Sequence, residues 1–372
     1  MAKKRKRRAP IWTMIAVTLG GLLVVASGGV LVTKEVVLGK FDTVADTDLL
    51  GDAAAAGGKE EKSDIKGPIN VLLVGIDPRD DTTPPLADSI LIAHIPASMD
   101  TAFIFSLPRD LYVDIPATDN GQWNGGQGKI NGSMSVGSIV PGGKPDVNKG
   151  FKHLVKTAGG VTGVELFDAG AIVNFGGFKS IVEAMGGVTM TLDQDFSSEH
   201  LQPNGKPRER LAECADHSCQ HPYVGPAKEY KKGTHYFKAW EALDIVRQRY
   251  TLKNGDYDRQ KNQQQFIKGI AKQAMSKDVM SDPAKLVKLM DAAGDSLTFA
   301  GGGHNIADWA LAMRNVNPDN MVTIDLPGRT LMNGNQYIGE ALDPSTDEFF
   351  DALAKNKVQD FLLTHPQFVR MD

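Results

Sequence analysis

Three apolar runs crowded into residues 69–110 constrain this chain more than anything else in it. Residues 69–77 read INVLLVGID, 88–96 read DSILIAHIP, and 101–110 read TAFIFSLPRD. A near-continuous apolar run of this length marks a strand buried on both faces. The four residues 97–100 between the second and third runs fit a hairpin. Further on, residues 149–158 form a helix candidate closed by Gly159-Gly160, and 174–185 another closed by Gly186-Gly187. Residues 188–192 and 321–326 suit strands. Residues 237–246, 258–276, 282–293, 305–316 and 346–356 suit helices, with Asn254-Gly255 breaking the second from the first. Strands and helices alternate, which predicts an α/β (α-β-α) class with a central mixed sheet flanked by helices. Neither an internal repeat nor a second linker interrupts residues 67–372, so one outer domain is expected.

The N-terminus has its own logic. Residues 11–33 carry no charge, and 23 helical residues span roughly 35 Å against a hydrocarbon core of about 30 Å. A cleaved signal peptide has an apolar region of about 7–15 residues, so a retained transmembrane helix is expected instead. Residues 1–10 hold six basic residues and no acid, which places this end in the cytoplasm. The expected product is a single-pass protein of the cell membrane, with residues 34–66 as a flexible linker and the remainder extracellular. With those six charges taken from a net charge of −4, the rest of the chain carries −10. An acidic body argues against nucleic acid as a partner.

Two groups of charged residues stand out. In an antiparallel hairpin the start of one strand lies beside the end of the next, so Asp88 should share a sheet edge with Arg109 and Asp110. If the first strand runs parallel to the third, Asp77 and Arg79 come to the same edge, where ligands of α/β sheets collect. The second group is Arg247, Arg249, Asp256, Arg259 and Gln263. Arg259 and Gln263 share one helix face near its N-terminus, which suits phosphate, while Asp256 suits a cap or orienting partner. Arg247 and Arg249 meet one ligand only if the backbone is extended between them. Read without further context, both groups also fit solvated surface charge.

The residues that carry these groups resemble a known family. VLLVGIDPRDD, ADSILI, SLPRDLYVDIP and KINGS, then VNFGGFKSIVEAMGGV and FKAWEALDIVRQRYTLKNGDYDRQKNQQQ, are similar in order and content to the blocks of the LytR–CpsA–Psr family of cell-wall glycopolymer ligases. The match covers a core of residues 69–276 and leaves 277–372 as a C-terminal extension. It departs from the pattern at Gly132, Ser133, Ile245, Val246 and Asn262, and residues 197–232 are an insertion.

The resemblance implies a membrane-anchored phosphotransferase. Such an enzyme moves a glycopolymer from a polyprenyl-pyrophosphate carrier onto peptidoglycan, typically at the muramic acid C6 hydroxyl. It implies Asp77 and Asp88 as ligands of Mg²⁺ (or Mn²⁺), which takes one or two carboxylates and shares phosphate oxygens. It implies Arg109, Arg247, Arg249 and Arg259 on the pyrophosphate, with Arg79 and Gln263 in support. Asp110 is a base or a structural partner of Arg109, and Lys129 and Asn131 line the acceptor side. The lipid tail needs an apolar channel; Phe103, Phe105, Phe175, Phe178, Ile181, Val182 and Phe266 are candidates, and each also suits ordinary core. A pyrophosphatase acting on the same lipid-linked glycan, or a non-catalytic wall-binding or regulatory module, would use many of the same residues. Cys214 and Cys219 sit in the insertion with His217 and His221 nearby. An extracellular location favours a disulfide closing a local loop, and zinc is the alternative.

Overall fold

The computed structural model describes residues 65–370, leaving out Arg79 and residues 212–213, 215–221, 275, 277–278, 280–284, 286–288, 290–291, 293–296, 305–307 and 310–311. The expected cytoplasmic tail, transmembrane helix and almost all of the linker lie outside these residues, as does most of the expected helix at 282–293. Among the described residues no helix is long and apolar enough to cross a membrane.

In chain order the elements are β1 (Ile69–Ile76), β2 (Ala87–Ile95), β3 (Phe103–Leu107), β4 (Tyr112–Ile115), β5 (Gly126–Lys129), α1 (Ile130–Ser138), α2 (Val147–Thr162), β6 (Ala169–Asn174), α3 (Phe175–Ala184), β7 (Val188–Leu192), β8 (Gly233–Phe237), α4 (Ala239–Arg247), α5 (Asp256–Ala274), β9 (Leu297–Ala300), β10 (Val322–Ile324), β11 (Gly328–Asn333), β12 (Gln336–Leu342), α6 (Ser345–Ala354) and α7 (Val358–Thr364). Six strands form the central sheet in the order β9-β6-β1-β2-β3-β10. β1 and β3 each run antiparallel to β2, so they run parallel to one another, as the site argument requires. β6 joins β1 in parallel, and β10 joins β3 in parallel. Four strands therefore end at one edge. The C-terminal extension is not an appendage: it supplies both edge strands, β9 and β10.

The strands alternate faces, and the two faces build two cores. Ile69, Val71 and Leu73 of β1 pack with α3, α4 and α5; Leu72, Val74 and Ile76 pack with α1, α2, α6 and α7. This is the expected three-layer α-β-α arrangement. It also corrects the expectation of one channel for the lipid tail. Phe103 and Phe105 belong to the second core, whereas Phe178, Ile181, Val182 and Phe266 belong to the first, with the sheet between them. Phe178 and Phe266 stack with ring centroids 3.9 Å apart. The side chain of Phe175 lies outside the description.

Of the two glycine-based boundaries, the first lies further along the chain than expected. α2 runs through Gly159-Gly160 to Thr162 and stops at Gly163, which takes the left-handed conformation (φ 69°) and returns its N–H to the carbonyl of Gly159. α3 ends as expected, with Gly186 at φ 86°. Asp146 begins α2 by accepting from the N–H groups of Asn148 and Lys149. The insertion folds as two short antiparallel pairs, Phe196–Ser197 with Glu229–Tyr230 and Glu209–Arg210 with Tyr223–Val224.

Candidate active site

β3 is stopped by Pro108, and the chain turns at Arg109 and Asp110. Asp88 is the second residue of β2, beside that turn. Arg109 Nη1 lies 2.5 Å from Asp88 Oδ1, so the hairpin argument holds to the level of the side chains. The second group arrives from the opposite end of the sequence. Arg247 is the last residue of α4, and its Nη2 donates to Asp77 Oδ2 at 3.1 Å, just past the end of β1. Gln248 then adopts an extended backbone (ψ 138°), the condition set for Arg247 and Arg249 to face one ligand. Arg259, in the first turn of α5, donates to the backbone carbonyl of Asp88 at 3.1 Å and pairs with Asp256 at 2.6 Å. Asp256 is thus an orienting partner. The two groups are one site at the carboxyl ends of β1 and β3. Arg79, expected beside them, lies outside the described residues.

The arginines of this edge differ in their electrostatics. Burial opposes the charge of Arg109, and the carboxylates of Asp88, Asp110 and Asp256 outweigh it, so its pKa stands above the ordinary value. Arg259 is 7% exposed and goes the other way. Burial lowers its pKa, Asp256 only partly compensates, and Arg109 and Arg249 repel it. Arg249 stacks on Tyr250 and has no carboxylate within ion-pair distance among the described residues. The Nε atoms of Arg109 and Arg259 are buried without a hydrogen-bond acceptor among the described residues. A phosphate-bearing ligand would supply acceptors to these N–H groups and offset the desolvation of Arg259.

Three residues expected beside the substrate make hydrogen bonds within the protein. Gln263 accepts from Ser89 Oγ at 2.8 Å and donates to the carbonyl of Val246 at 3.2 Å, so its amide ties α5 to β2 and to the end of α4. Lys129 Nζ and Asn131 Nδ2 both reach Asp110, at 3.2 and 3.5 Å. Asp110 also lies 3.6 Å from Arg109 Nε. Burial raises the Asp110 pKa, but Arg109, Lys129 and Tyr337 outweigh it and hold it below the ordinary carboxylate value. A carboxylate so engaged is a weak base, and its contacts suit an orienting partner of Arg109. Tyr337, Glu340 and Tyr257 were not foreseen. Tyr337 Oη lies 3.1 Å from Asp110, and Glu340 accepts from Tyr337 at 3.0 Å and from Tyr257 of α5 at 3.3 Å. No local motif signals this hairpin; only its pairing across the fold does.

Among the described residues no three His, Cys, Asp or Glu side chains cluster as a metal cage. The donor set instead suits an ion shared with a substrate. Asp77 and Asp88 are both partly exposed, and Asp77 Oδ1 and Asp88 Oδ2 have no hydrogen-bond partner among the described residues. Two hard carboxylate oxygens are what Mg²⁺ or Mn²⁺ takes when phosphate and water complete its shell. In the insertion, Cys214 is disulfide-bonded, and the only other cysteine of the sequence, Cys219, lies outside the described residues.

Comparison with known proteins gives the family and the fold. The model of the LytR_cpsA_psr family matches residues 43–355, and the chain belongs to that family. It is 24% identical over 367 residues to the cell wall biosynthesis protein LcpA of Corynebacterium glutamicum, covering 92% of this chain and 64% of LcpA. It is 26% identical over 300 residues to the polyisoprenyl-teichoic acid–peptidoglycan teichoic acid transferase TagU of Oceanobacillus iheyensis, covering 79% of this chain and 78% of that protein. In fold it is similar to TagT bound to LIIa-WTA, with a TM-score of 0.55, 21% identity, and coverage of 82% of this chain and 96% of TagT.

Proposed function

We propose that this protein is a membrane-anchored phosphotransferase that moves a glycopolymer from a polyprenyl-pyrophosphate carrier onto peptidoglycan. The acceptor is the C6 hydroxyl of a muramic acid unit. Its oxygen attacks the glycan-side phosphorus, a phosphodiester forms, polyprenyl phosphate leaves, and the hydroxyl proton passes to solvent. The observation that supports this reading is the meeting of Arg109, Arg247, Arg249 and Arg259 with Asp77 and Asp88 at one sheet edge, in a member of a family whose named relatives include teichoic acid transferases.

The arginines bind and orient the pyrophosphate and stabilise the charge that develops on its oxygens. Asp77 and Asp88 would hold Mg²⁺ (or Mn²⁺), which would neutralise phosphate charge. Asp110 holds Arg109 in place. The anchor at residues 11–33 keeps an extracellular site beside a lipid-borne substrate and raises its effective concentration. A pyrophosphatase reading is favoured only by the exposure of Arg247 and Asp77, at 41% and 43%, which leaves water access to the edge.

The test is transfer by the full chain in lipid nanodiscs, with a polyprenyl-pyrophosphate glycan and a peptidoglycan fragment as substrates. Labelled peptidoglycan supports the ligase. Free glycan phosphate without labelling moves the assignment to hydrolysis, and neither product removes it.

A further inference from the structure

Beside the arginine cluster, a cavity of about 490 Å³ opens between α5, Ser106 of β3, residues 325–328 and the segment around Gln367. That volume lies in the range of small-ligand sites, about 300–1,000 Å³. Its polar lining is largely uncharged: Asn254, Gln260, Gln264 and Gln367 supply carboxamides and Tyr257 a phenol. The two charged groups, Lys261 and Asp325, neutralise each other at 3.2 Å. Leu326 and Phe368, both core residues, close its floor. Gln264 is 2% exposed; its Nε2 donates to Ser106 Oγ and to the carbonyl of Ile324, while its Oε1 is buried without a partner among the described residues.

This chemistry selects its ligand. A phosphate would want an uncompensated cation, and an acyl chain would want a dry apolar wall. Mixed donors and acceptors with little net charge suit hydroxyl and acetamido groups. The cavity also adjoins the reaction edge. Gln260 Nε2 donates to Asp256 at 3.2 Å, Asp256 pairs with Arg259, and Ser106 precedes Arg109 by three residues. We infer that the cavity is a subsite for an N-acetylated hexose, a reading that rests on the transferase assignment above. Two substrates carry that chemistry, the peptidoglycan acceptor and the sugar phosphate end of the donor.

Calorimetric titration of the full chain with two probes separates them: a GlcNAc–MurNAc muropeptide and N-acetylglucosamine 1-phosphate. Gln367→Trp fills the mouth from an exposed position, and Lys261→Met breaks the charge pair. Thermal melts establish that each variant is folded, and Lys261→Met is read alone if Gln367→Trp is not. Binding of one probe should weaken about tenfold or more in the folded variants. Weakened muropeptide binding assigns the subsite to the acceptor, and weakened sugar phosphate binding assigns it to the donor. No saturable binding to the parent protein, or binding of both probes unchanged in the variants, overturns the subsite. A parent protein that binds a probe but transfers nothing refutes the transferase instead.

Discussion

The phenolic oxygen of Tyr337 lies 3.1 Å from Asp110 and 3.0 Å from Glu340, placing one hydrogen between two carboxylates. Burial and both carboxylates push the Tyr337 pKa well up, so the phenol stays protonated and can donate. Through this contact the β11–β12 hairpin props the turn that presents Arg109. The backbone joins in: Glu340 N–H donates to the carbonyl of Asp110 at 2.8 Å, and Asn131 N–H to that of Arg109 at 3.1 Å.

Tyr337→Phe deletes that hydrogen and should cost about 1 kcal/mol of stability. If Tyr337 acts by positioning, kcat should fall more than KM rises, and the effect should couple with Asp110→Asn. Urea denaturation and transfer kinetics on the double-mutant cycle measure this. Strictly additive effects would show that the two side chains do not act as a unit.

Arg109→Ala and Arg259→Ala should each slow transfer by roughly 30- to 1000-fold, or about 2–4 kcal/mol, because each loses a charge-assisted contact in a partly desolvated site. Lysine should rescue poorly, since a point charge does not reproduce a planar fork. Full transfer by either alanine variant would remove the pyrophosphate assignment.

Chelation of divalent ions should stop transfer, and added Mg²⁺ or Mn²⁺ should restore it. Asp77→Ala and Asp88→Ala should then resemble the chelated protein. Undiminished transfer in excess chelator refutes the metal role.

His94 gives a pH dependence of stability. It is 1% exposed, with Nδ1 2.9 Å from Asn70 Oδ1 and Nε2 3.1 Å from Asn356 Oδ1. Burial lowers its pKa from 6.5 to about 4. The unfolded chain therefore binds the proton first as pH falls. This contribution to stability is present above pH 6.5 and is lost progressively between there and about pH 4, amounting to about 2–4 kcal/mol. Denaturation midpoints of the parent and His94→Gln at pH 7 and 4.5 should converge as pH falls. Parallel pH profiles would exclude His94 as the source.

Gly150→Ala should destabilise by about 1–3 kcal/mol through overpacking. A Cβ at Gly150 would stand 2.5 Å from the carbonyl oxygen of Met134 and closer still to Ser138 Oγ, where α1 crosses α2. Because α1 also carries Asn131, transfer should fall with stability. A thermal melt of the variant is the check, and an unchanged midpoint would mean that the helices separate freely.

The sequence by itself determined the layers. Near-continuous apolar runs can satisfy both their hydrogen bonds and their hydrophobic faces only inside a sheet covered on two sides, and β1, β2 and β3 are that solution. Because they are neighbours in sequence, the Asp88–Arg109 contact was legible from hairpin geometry alone. The family blocks carried the remaining arginines. Tertiary structure decided what those charges touch. Arg247 meets Asp77 across 170 positions, and Tyr337 meets Asp110 across 227, separations that no local periodicity encodes. β9, four residues long, gave no signal as a strand until β6 offered it an edge. The apolar residues proposed for one channel were also divided by the sheet, because side chains at odd and even positions leave a strand on opposite faces. Local pattern specifies which face is buried; only long-range packing specifies against what.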